Sequence, residues 1–201
     1  MASFLLALAV PCSPVRQCLT IAGSTFGGFT IAKSQVEERA FYRFVNPVGI
    51  VTACHDGRCN AMSAEWTSLI SLKPYLLGVY VAQERYTHSL IEQEEVFSVS
   101  LLRNDQAALA VLFGNSTAWE VDKTPLLEQY TEPSPLGGGP LVKGANAHFV
   151  CKIADRHTVG SHTLLVGVPL YAKPVAEDQP LAYHGGRYFR LGEQLRRPRT
   201  E

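Results

Sequence analysis

The sequence predicts a mainly β protein, a β-barrel with a few short helices. Short segments rich in β-branched and aromatic residues recur along the chain and outnumber helical segments by about seven or eight to three. The chain has 201 residues, of which 46% are apolar and 18% charged, so it can bury a sizeable core. Many short strands with few helices are typical of a closed or partly open barrel.

The chain divides into three predicted parts: an irregular extension over residues 1–30, a folded domain over 31–195 and a basic tail over 196–201. The first ten residues are apolar and resemble a signal peptide in part. However, no Lys or Arg precedes them and no clean small-residue cleavage site follows. We therefore interpret them as an extension, with export as the alternative. The Arg-rich end is interpreted as a solvated tail.

Regular structure begins with a helix and a hairpin. Ser34 and Glu37 form a capping box, which predicts a short helix that ends before Pro47. Residues 48–54 and 59–64 are then predicted as two strands, because an Asp-Gly pair stands at the centre of the segment that joins them.

The later elements follow from apolar patterns and turn residues. Strands are predicted at residues 66–72, 75–82, 96–102, 147–155, 163–174, 181–183 and 187–191. A short helix is predicted over residues 87–95. A second helix is predicted from residue 104 or 105 to 113, closed by Gly114 just past its end. Residues 125–144 are rich in Pro and Gly, which predicts a long ordered loop.

Charge and cysteine content argue against several classes of protein. Lys plus Arg equals Asp plus Glu at 18 each, so no basic face for nucleic acid is expected. No apolar run reaches the ~18 residues of a membrane span. The five cysteines include no C-x-x-C pair and no zinc spacing, which predicts no metal site, no disulfide framework and a reducing cytoplasm. Only Cys54 and Cys59, which flank the hairpin turn, could come close enough to oxidise.

A first candidate site lies in residues 79–88, where a strand runs directly into a polar helix start. Helix N-termini offer free N–H groups and a positive dipole end to phosphate. Arg85 adds a bidentate cation, and Thr87 adds a hydroxyl at the predicted N-cap. The alternative is that Thr87 only caps the helix and Arg85 is solvated.

A second candidate site lies in residues 60–68. Polar and small residues crowd a place where a barrel strand is usually apolar, and small side chains allow a flat ring to approach the backbone. The alternative is an ordinary barrel strand with its polar residues facing out and Trp66 in the core.

Four stretches in order resemble the flavin-reductase-like FMN-binding split-barrel family, especially its flavoredoxin-like members. They read NPVGIVTACHDGRCNAMSAEWTSLISLKP, GVYVAQERYTHSLI, FGNSTAWEVDK and VGSHTLLVGVPL, and YHGGRYFRLG closes the series. The match runs over residues 45–193. The resemblance implies a six-stranded Greek-key split barrel that dimerises and binds FMN in a groove near the subunit interface.

The resemblance also implies a set of site residues. The flavin ring and ribityl chain would be lined by Ala64, Glu65, Trp66, Thr67 and Ser68. Arg85 and Thr87 would take the phosphate, and His162 would lie near the flavin and the nicotinamide as the catalytic candidate. Asp122 and Lys123 match the family's V-D-K turn. The family's G-D-H segment reads Gly-Ser-His here, so the polarity of the donor pocket differs.

Two functions are consistent with these residues. The first is an oxidoreductase, a homodimer without nucleic-acid or membrane partners, that passes hydride from NAD(P)H through FMN to an unknown second acceptor. The second is a non-catalytic FMN-binding electron-transfer or flavin-carrier protein without a nicotinamide site. The missing Asp before His162 keeps that alternative open.

Overall fold

The computed structural model describes residues 25–26, 29–30 and 37–195. The chain forms two compact units, residues 1–38 and 39–201. In the first unit, strands β1 (Thr25–Phe26) and β2 (Phe29–Thr30) pair antiparallel. Most of the predicted extension, Ser34 of the predicted capping box and the basic tail lie outside the described residues.

From residue 38 onward the described chain contains twelve strands, one 3-10 helix and three α-helices. In chain order these are the 3-10 helix Glu38–Arg43, β3 Val45–Pro47, β4 Gly49–His55, β5 Arg58–Ala64, β6 Thr67–Leu72, β7 Tyr75–Ala82, α1 Tyr86–Glu92, β8 Val96–Leu101, α2 Ala107–Gly114, α3 Thr124–Tyr130, β9 Thr131–Glu132, β10 Leu141–Val142, β11 Ala147–Val159, β12 His162–Pro174, β13 Ala182–His184 and β14 Arg187–Phe189. None of the described helices is long and apolar enough to cross a bilayer.

The main sheet is antiparallel and has the strand order β5-β4-β8-β11-β12-β7-β6. Met62 of β5 and Val79 of β7 come from opposite ends of this order, yet they share one buried cluster with Val99, Cys151 and Leu165. The sheet therefore curls around its own core, which confirms the predicted mainly β barrel class. The main sheet has seven strands, where the resemblance implied six.

A second buried cluster lies between the main sheet and the helices outside it. Ala110 and Phe113 of α2 and Leu127 of α3 pack with Ile50 of β4 and Leu181. Leu181 stands directly before β13, which joins β14 and β3 in a small three-stranded sheet. This layer fixes the positions of α2 and α3 beside β5, where the candidate site begins.

The predicted hairpin is confirmed as β4 and β5. Asp56 and Gly57 both have positive φ, 48° and 75°, as a type I′ turn requires. The register places Cys54 opposite Cys59, and the two form a disulfide with a Cα–Cα distance of 4.0 Å. The expectation of fully reduced cysteines is therefore wrong for this pair, because a two-residue turn puts the two side chains side by side. Cys151 is free, and burial raises its pKa to about 12.

The predicted loop over residues 125–144 is wrong in its first part and near its end. Residues 124–130 form α3, with Pro125 in its first turn, where a missing N–H costs nothing. Strands β9 and β10 then pair across the rest of the segment. Gly139 lies against β4: an added Cβ would come within 2.6 Å of the carbonyl carbon of Thr52. The glycines in this segment therefore serve close packing as well as turning.

The predicted ends of α2 also need correction. The helix begins at Ala107, and its N-cap is Gln106 rather than residue 104 or 105. The Gln106 side chain accepts a hydrogen bond from the backbone N–H of Arg103 at 3.0 Å. Gly114 is the last residue of the helix and not the residue past it.

The two end strands of the main sheet have different surroundings. On β5, the carbonyl of Ala61 accepts a hydrogen bond from Lys123 Nζ, and Ser63 Oγ donates to the Ala110 carbonyl of α2. On β6, the apolar side chains are exposed: Leu69 by 54% and Leu72 by 61%. One end of the sheet is therefore covered by the chain itself, and the other presents apolar surface.

Candidate functional site

The structure brings together two of the predicted site residues, Trp66 and His162. Trp66 directly precedes β6, and its carbonyl accepts the Tyr80 N–H of β7 at 3.0 Å. His162 is the first residue of β12, which begins one residue earlier than the predicted strand, and it pairs with Ala82 at the end of β7. The neighbouring strands thus place the Trp66 and His162 rings 4.7 Å apart, with 36° between their planes.

The environment of His162 favours its neutral form. Burial lowers the pKa of His162 below its ordinary value, and Arg85 lowers it further, whereas Glu84 opposes the shift. Ser161 Oγ lies 3.0 Å from Nδ1 of the imidazole. A neutral imidazole has one N–H donor and one acceptor nitrogen, so His162 can orient a polar ligand without carrying charge.

Arg85 has no charged partner in the part of the chain that the structure describes. It is the N-cap residue of α1, and no Asp or Glu among the described residues lies within salt-bridge distance of it. Its Nη1 donates one long hydrogen bond of 3.4 Å to the Gly114 carbonyl, and its Nε is buried without a partner. A guanidinium carries five N–H donors in total, so most of the hydrogen-bonding capacity of Arg85 is unused.

Thr87 does not cap the helix, so that prediction is wrong. Arg85 occupies the N-cap position, and Thr87 is the second residue of α1. Thr87 is fully buried, and its hydroxyl oxygen accepts a hydrogen bond from Asn60 Nδ2 at 2.9 Å. The hydroxyl hydrogen of Thr87 remains available as a donor.

Lys123 is a second cation beside Arg85. It is only 3% exposed, and its Nζ donates to the carbonyls of Ala61 at 3.2 Å and Phe113 at 2.9 Å. Burial lowers the pKa of Lys123 to about 8, and the nearby Arg85 contributes to the shift. No carboxylate among the described residues pairs with it. Two adjacent cations without a counter-ion form a site suited to an anion.

A small cavity joins these two cations. Its walls include Arg85, Thr87, Ser116, Thr117 and Lys123. Its volume is about 10 Å³, so a phosphate group enters only if a side chain moves. Arg85 is only partly buried and is held there by a single 3.4 Å bond, so it is the side chain best able to move.

The predicted flavin-lining residues differ in exposure. Ala64 ends β5 and is buried, Glu65 lies in the bend after it, and Trp66 is 53% exposed. Thr67 is buried, whereas Ser68 is exposed and its hydroxyl donates to the neighbouring Leu69 carbonyl at 3.3 Å. The interpretation of Trp66 as a core residue is wrong, because half of its surface is open.

Unsatisfied polar atoms test whether a phosphorylated, hydrogen-bonding ligand fits these residues. Four buried side-chain atoms in the described part of the chain lack a partner, and three of them belong to this region: Asn60 Oδ1, Thr67 Oγ1 and Arg85 Nε. The fourth, on His148, lies on β11. Because unpaired buried polar atoms are costly, their concentration here fits a site that a ligand such as FMN completes.

Sequence reasoning missed part of this site. Asn60 was included only within its segment, and Ser116 and Thr117 were not singled out. The signal for them was the N-S-T run between α2 and the Asp-Lys pair. Among the described residues, no group of three or more His, Cys, Asp or Glu side chains is placed to hold a metal ion.

Comparison with known proteins gives a consistent result. The family model described as "Flavin reductase like domain" matches residues 41–192. The reductase component of a 4-nitrophenol 4-monooxygenase/4-nitrocatechol 2-monooxygenase from Rhodococcus opacus is 30% identical over 72% of this chain and 74% of its own. An NADH-dependent FAD reductase from Streptomyces globisporus is 28% identical, with 76% and 83% covered. The crystal structure of an FMN-binding protein from Thermus thermophilus superimposes with a TM-score of 0.73 and 26% identity, covering 85% of this chain and all of that one.

Proposed function

Because the chain belongs to the flavin reductase-like domain family and is a flavin oxidoreductase, we propose that it takes hydride from NAD(P)H onto FMN and passes the electrons to a second acceptor. The observation that carries the proposal is the pair of cations, Arg85 and Lys123, that share one cavity and have no carboxylate partner among the described residues. Such a pair fits the phosphate that distinguishes FMN from riboflavin.

In this proposal the phosphate of FMN is held by residues from three parts of the chain. Arg85 supplies unused guanidinium donors, and Lys123 supplies the one N–H that its two backbone hydrogen bonds leave free. Ser116 and Thr117 line the same cavity and add hydroxyl donors. Thr87 contributes its hydroxyl hydrogen, because its oxygen already accepts from Asn60.

The remaining predicted residues bind the ring and the donor. Residues 64–68 lie along the flavin, with the unpaired hydroxyl of Thr67 available to a polar edge of the ring. When bound, FMN supplies the hydride chemistry itself. His162 does not have to donate or accept a proton in the hydride transfer. It positions the nicotinamide as a neutral hydrogen-bonding group, with one face covered by Trp66.

We also propose that the protein is a homodimer. Strand β6 ends the sheet order and exposes Leu69, Ile70 and Leu72 by 46–61%, and Tyr75 beside them is exposed by 64%. An apolar edge of this kind suits a second copy of the same strand, and zero net charge offers no repulsion to close approach. Light scattering at micromolar concentration with FMN present should give twice the chain mass, and a monomer would contradict the proposal.

One purified sample tests the function. Flavin absorbance between roughly 350 and 500 nm after addition and removal of excess FMN measures binding. Steady-state oxidation of NADH and NADPH with FMN measures the enzyme. Activity with either donor supports the proposal, whereas FMN binding without oxidation would favour the flavin-carrier alternative. The Rhodococcus opacus relative is the reductase component of a monooxygenase, which suggests a monooxygenase as the acceptor here, and reductase activity coupled to such a partner would test that.

A further inference from the structure

The Cys54–Cys59 disulfide joins β4 to β5 at a pair of the non-hydrogen-bonded kind. In antiparallel strands, hydrogen-bonded and non-hydrogen-bonded pairs alternate, and the second kind has the shorter Cα–Cα distance. The two cysteines have a Cα–Cα distance of 4.0 Å, and the Cys54 N–H donates instead to the Gly138 carbonyl at 2.8 Å. The covalent bond is therefore the link between the two strands at this level of the hairpin.

Both cysteines of this pair can be approached from solvent. Each is partly buried, whereas the turn residues 56–58 between them are exposed. Cys59 also lines a cavity of about 760 Å³ between the hairpin turn and α3, which gives a small molecule room to approach. Arg58 lines the same cavity, and no carboxylate among the described residues lies within salt-bridge distance of it. A cation there stabilises the thiolate that is released when the S–S bond is broken.

Cys151 provides the contrast. It is fully buried on β11, and burial raises its pKa to about 12, so its thiol stays protonated and away from solvent. Thiol chemistry requires both a thiolate and access. Among the described residues, the sulfurs placed to react are therefore those of the hairpin pair.

The residues that follow Cys59 hold two groups of the proposed phosphate site. Asn60 Nδ2 donates a hydrogen bond to the Thr87 hydroxyl oxygen at 2.9 Å. The Ala61 carbonyl accepts a hydrogen bond from Lys123 Nζ at 3.2 Å. Because local opening begins where few contacts hold the chain, loss of the disulfide loosens β5 directly before these two residues. The positions of Thr87 and Lys123 thus depend on the hairpin pair.

We propose that Cys54 and Cys59 are a reversible thiol–disulfide exchange site whose oxidation state sets the affinity of the protein for FMN. The coupling rests on the proposed function, because it acts through the phosphate contacts of Thr87 and Lys123. The disulfide form fixes β5 and binds FMN more tightly. The dithiol form keeps the fold and binds FMN more weakly, so small thiols promote the release of the flavin.

Reduction of the pair uses two molecules of a small thiol. The first, as a thiolate, attacks one sulfur, forms a mixed disulfide and expels the other sulfur as a thiolate, which takes up a proton. The second thiol attacks the mixed disulfide, frees the remaining cysteine as a thiol and leaves as part of the oxidised small disulfide. The pair gains two electrons and two protons, and the two small thiols lose the same number. Reoxidation is the reverse exchange with that small disulfide.

The exchange itself is tested without flavin. The full-length protein is equilibrated in glutathione buffers of increasing reducing ratio and alkylated without denaturant, and mass spectrometry measures the alkylated fraction of each cysteine. Cys54 and Cys59 should be alkylated in reducing buffer and protected in oxidising buffer, while Cys151 stays unmodified in both. If Cys54 and Cys59 stay protected until the protein unfolds, the disulfide is inert and the proposal is overturned.

Flavin titration tests the coupling. The Kd of FMN and of riboflavin is measured by flavin fluorescence for the oxidised protein and for reduced protein freed of thiol by desalting. Reduction should raise the Kd of FMN about three- to tenfold and leave that of riboflavin within about twofold, because the disturbed contacts are those of the phosphate. Cys54→Ser with Cys59→Ser should bind FMN as weakly as the reduced wild type and should not respond to thiols. The matched control, Cys12→Ser with Cys18→Ser, keeps the hairpin pair and should respond as the wild type does.

The other outcomes separate this proposal from the proposed function. If reduction leaves the Kd of FMN unchanged, or weakens FMN and riboflavin equally, the coupling is refuted and FMN binding stands. If Cys54→Ser with Cys59→Ser still responds to thiols, other cysteines carry the response and the assigned site is wrong. If the protein binds FMN in neither oxidation state, the proposed function and the coupling are both refuted.

Discussion

Two arginines hold equivalent places in the fold and have opposite surroundings. Arg85 lies between β7 and α1, and Arg103 lies between β8 and α2. Arg103 donates from Nε and Nη2 to the two carboxylate oxygens of Asp105, at 3.0 and 2.8 Å, and its Nη1 lies 3.6 Å from Asp178. Arg85 has one long hydrogen bond to a carbonyl and a buried Nε without a partner.

The difference separates a structural cation, Arg103, from the cation that we propose binds a ligand, Arg85. The hydrogen bond with Asp105 raises the pKa of Arg103 and lowers that of Asp105, so each charge stabilises the other. Arg85 instead faces a second cation, Lys123, whose pKa it helps to lower. Two like charges held together without a counter-ion raise the free energy of the protein without ligand, and a bound anion offsets that cost. The same residue type after a strand therefore serves the fold in one place and, in the proposed function, a ligand in the other.

The largest expected effect comes from removing the unpaired cation. Arg85→Ala should weaken FMN about tenfold or more and leave riboflavin nearly unchanged, because only FMN carries the phosphate. The sequence suggests combining Arg85→Ala with Thr87→Val. The second substitution would also disturb the structure, because the Thr87 hydroxyl accepts a hydrogen bond from Asn60. Titration of both flavins measures the effect. If FMN and riboflavin lose affinity equally, the phosphate binds elsewhere, and Arg85 does not differ from Arg103 in binding it.

The next effect concerns His162, which lies within electrostatic range of Arg85. His162→Ala should lower turnover with NAD(P)H by roughly tenfold and keep FMN affinity within about threefold, because donor positioning and cofactor binding are separate contributions. Flavin titration and hydride-transfer kinetics on the same variant check both parts. Unchanged kinetics with intact FMN binding would support a flavin carrier instead.

A smaller effect should appear as a pH dependence from Lys123. With its pKa lowered to about 8, Lys123 is charged below that pH and loses its charge above it. FMN affinity should therefore fall severalfold as pH rises from roughly 7 to 9, while riboflavin affinity stays flat. Lys123→Met should abolish this pH dependence of the FMN affinity. If the affinities of FMN and riboflavin change equally with pH, the pH dependence arises at the flavin ring and not at the phosphate site.

The smallest effect on binding should come from the paired cation. Arg103→Ala should leave FMN affinity within about twofold, because its donors are used by Asp105 and Asp178. It should lower the melting temperature by roughly 1–4 °C, since exposed ion pairs stabilise only modestly. Thermal unfolding with and without FMN measures both. A loss of FMN affinity similar to that of Arg85→Ala would show that the two arginines do not differ in role.

Local patterns predicted the strands well. Two apolar runs and an Asp-Gly turn were enough to locate β4 and β5, and the long pair β11 and β12 was found with one end of each strand one to four residues short. The sequence failed at α3, because Pro125 was interpreted as a sign of a loop although it occupies the first turn of a helix. The sequence identified Cys54 and Cys59 as the pair that flanks the hairpin turn but favoured reduced thiols, because the exact register that places them opposite each other is known only from the fold.

The candidate site was predictable only where a motif marked it. Arg85 stood out because it lies at a strand end beside polar residues, whereas His162 was marked by the resemblance to the family. Lys123 could not be recognised from local chemistry as a buried cation, since the carbonyls that hold it, Ala61 and Phe113, come from β5 and α2. Burial of a lysine and the absence of a counter-ion are properties of the assembled fold. These two properties cannot be inferred from the order of residue types in the sequence.

The contrast between the two ends of the main sheet limits how copies of this protein can polymerise. Lys123 and α2 are hydrogen-bonded to β5, whereas β6, at the other end of the main sheet, exposes its apolar side chains. Fibres that grow by strand addition need two open edges on every copy. Two copies that join through β6 use up that edge and form a closed pair. If the proposed homodimer forms through β6, concentrating the protein should therefore fill a dimer population and add no further copies through the main sheet.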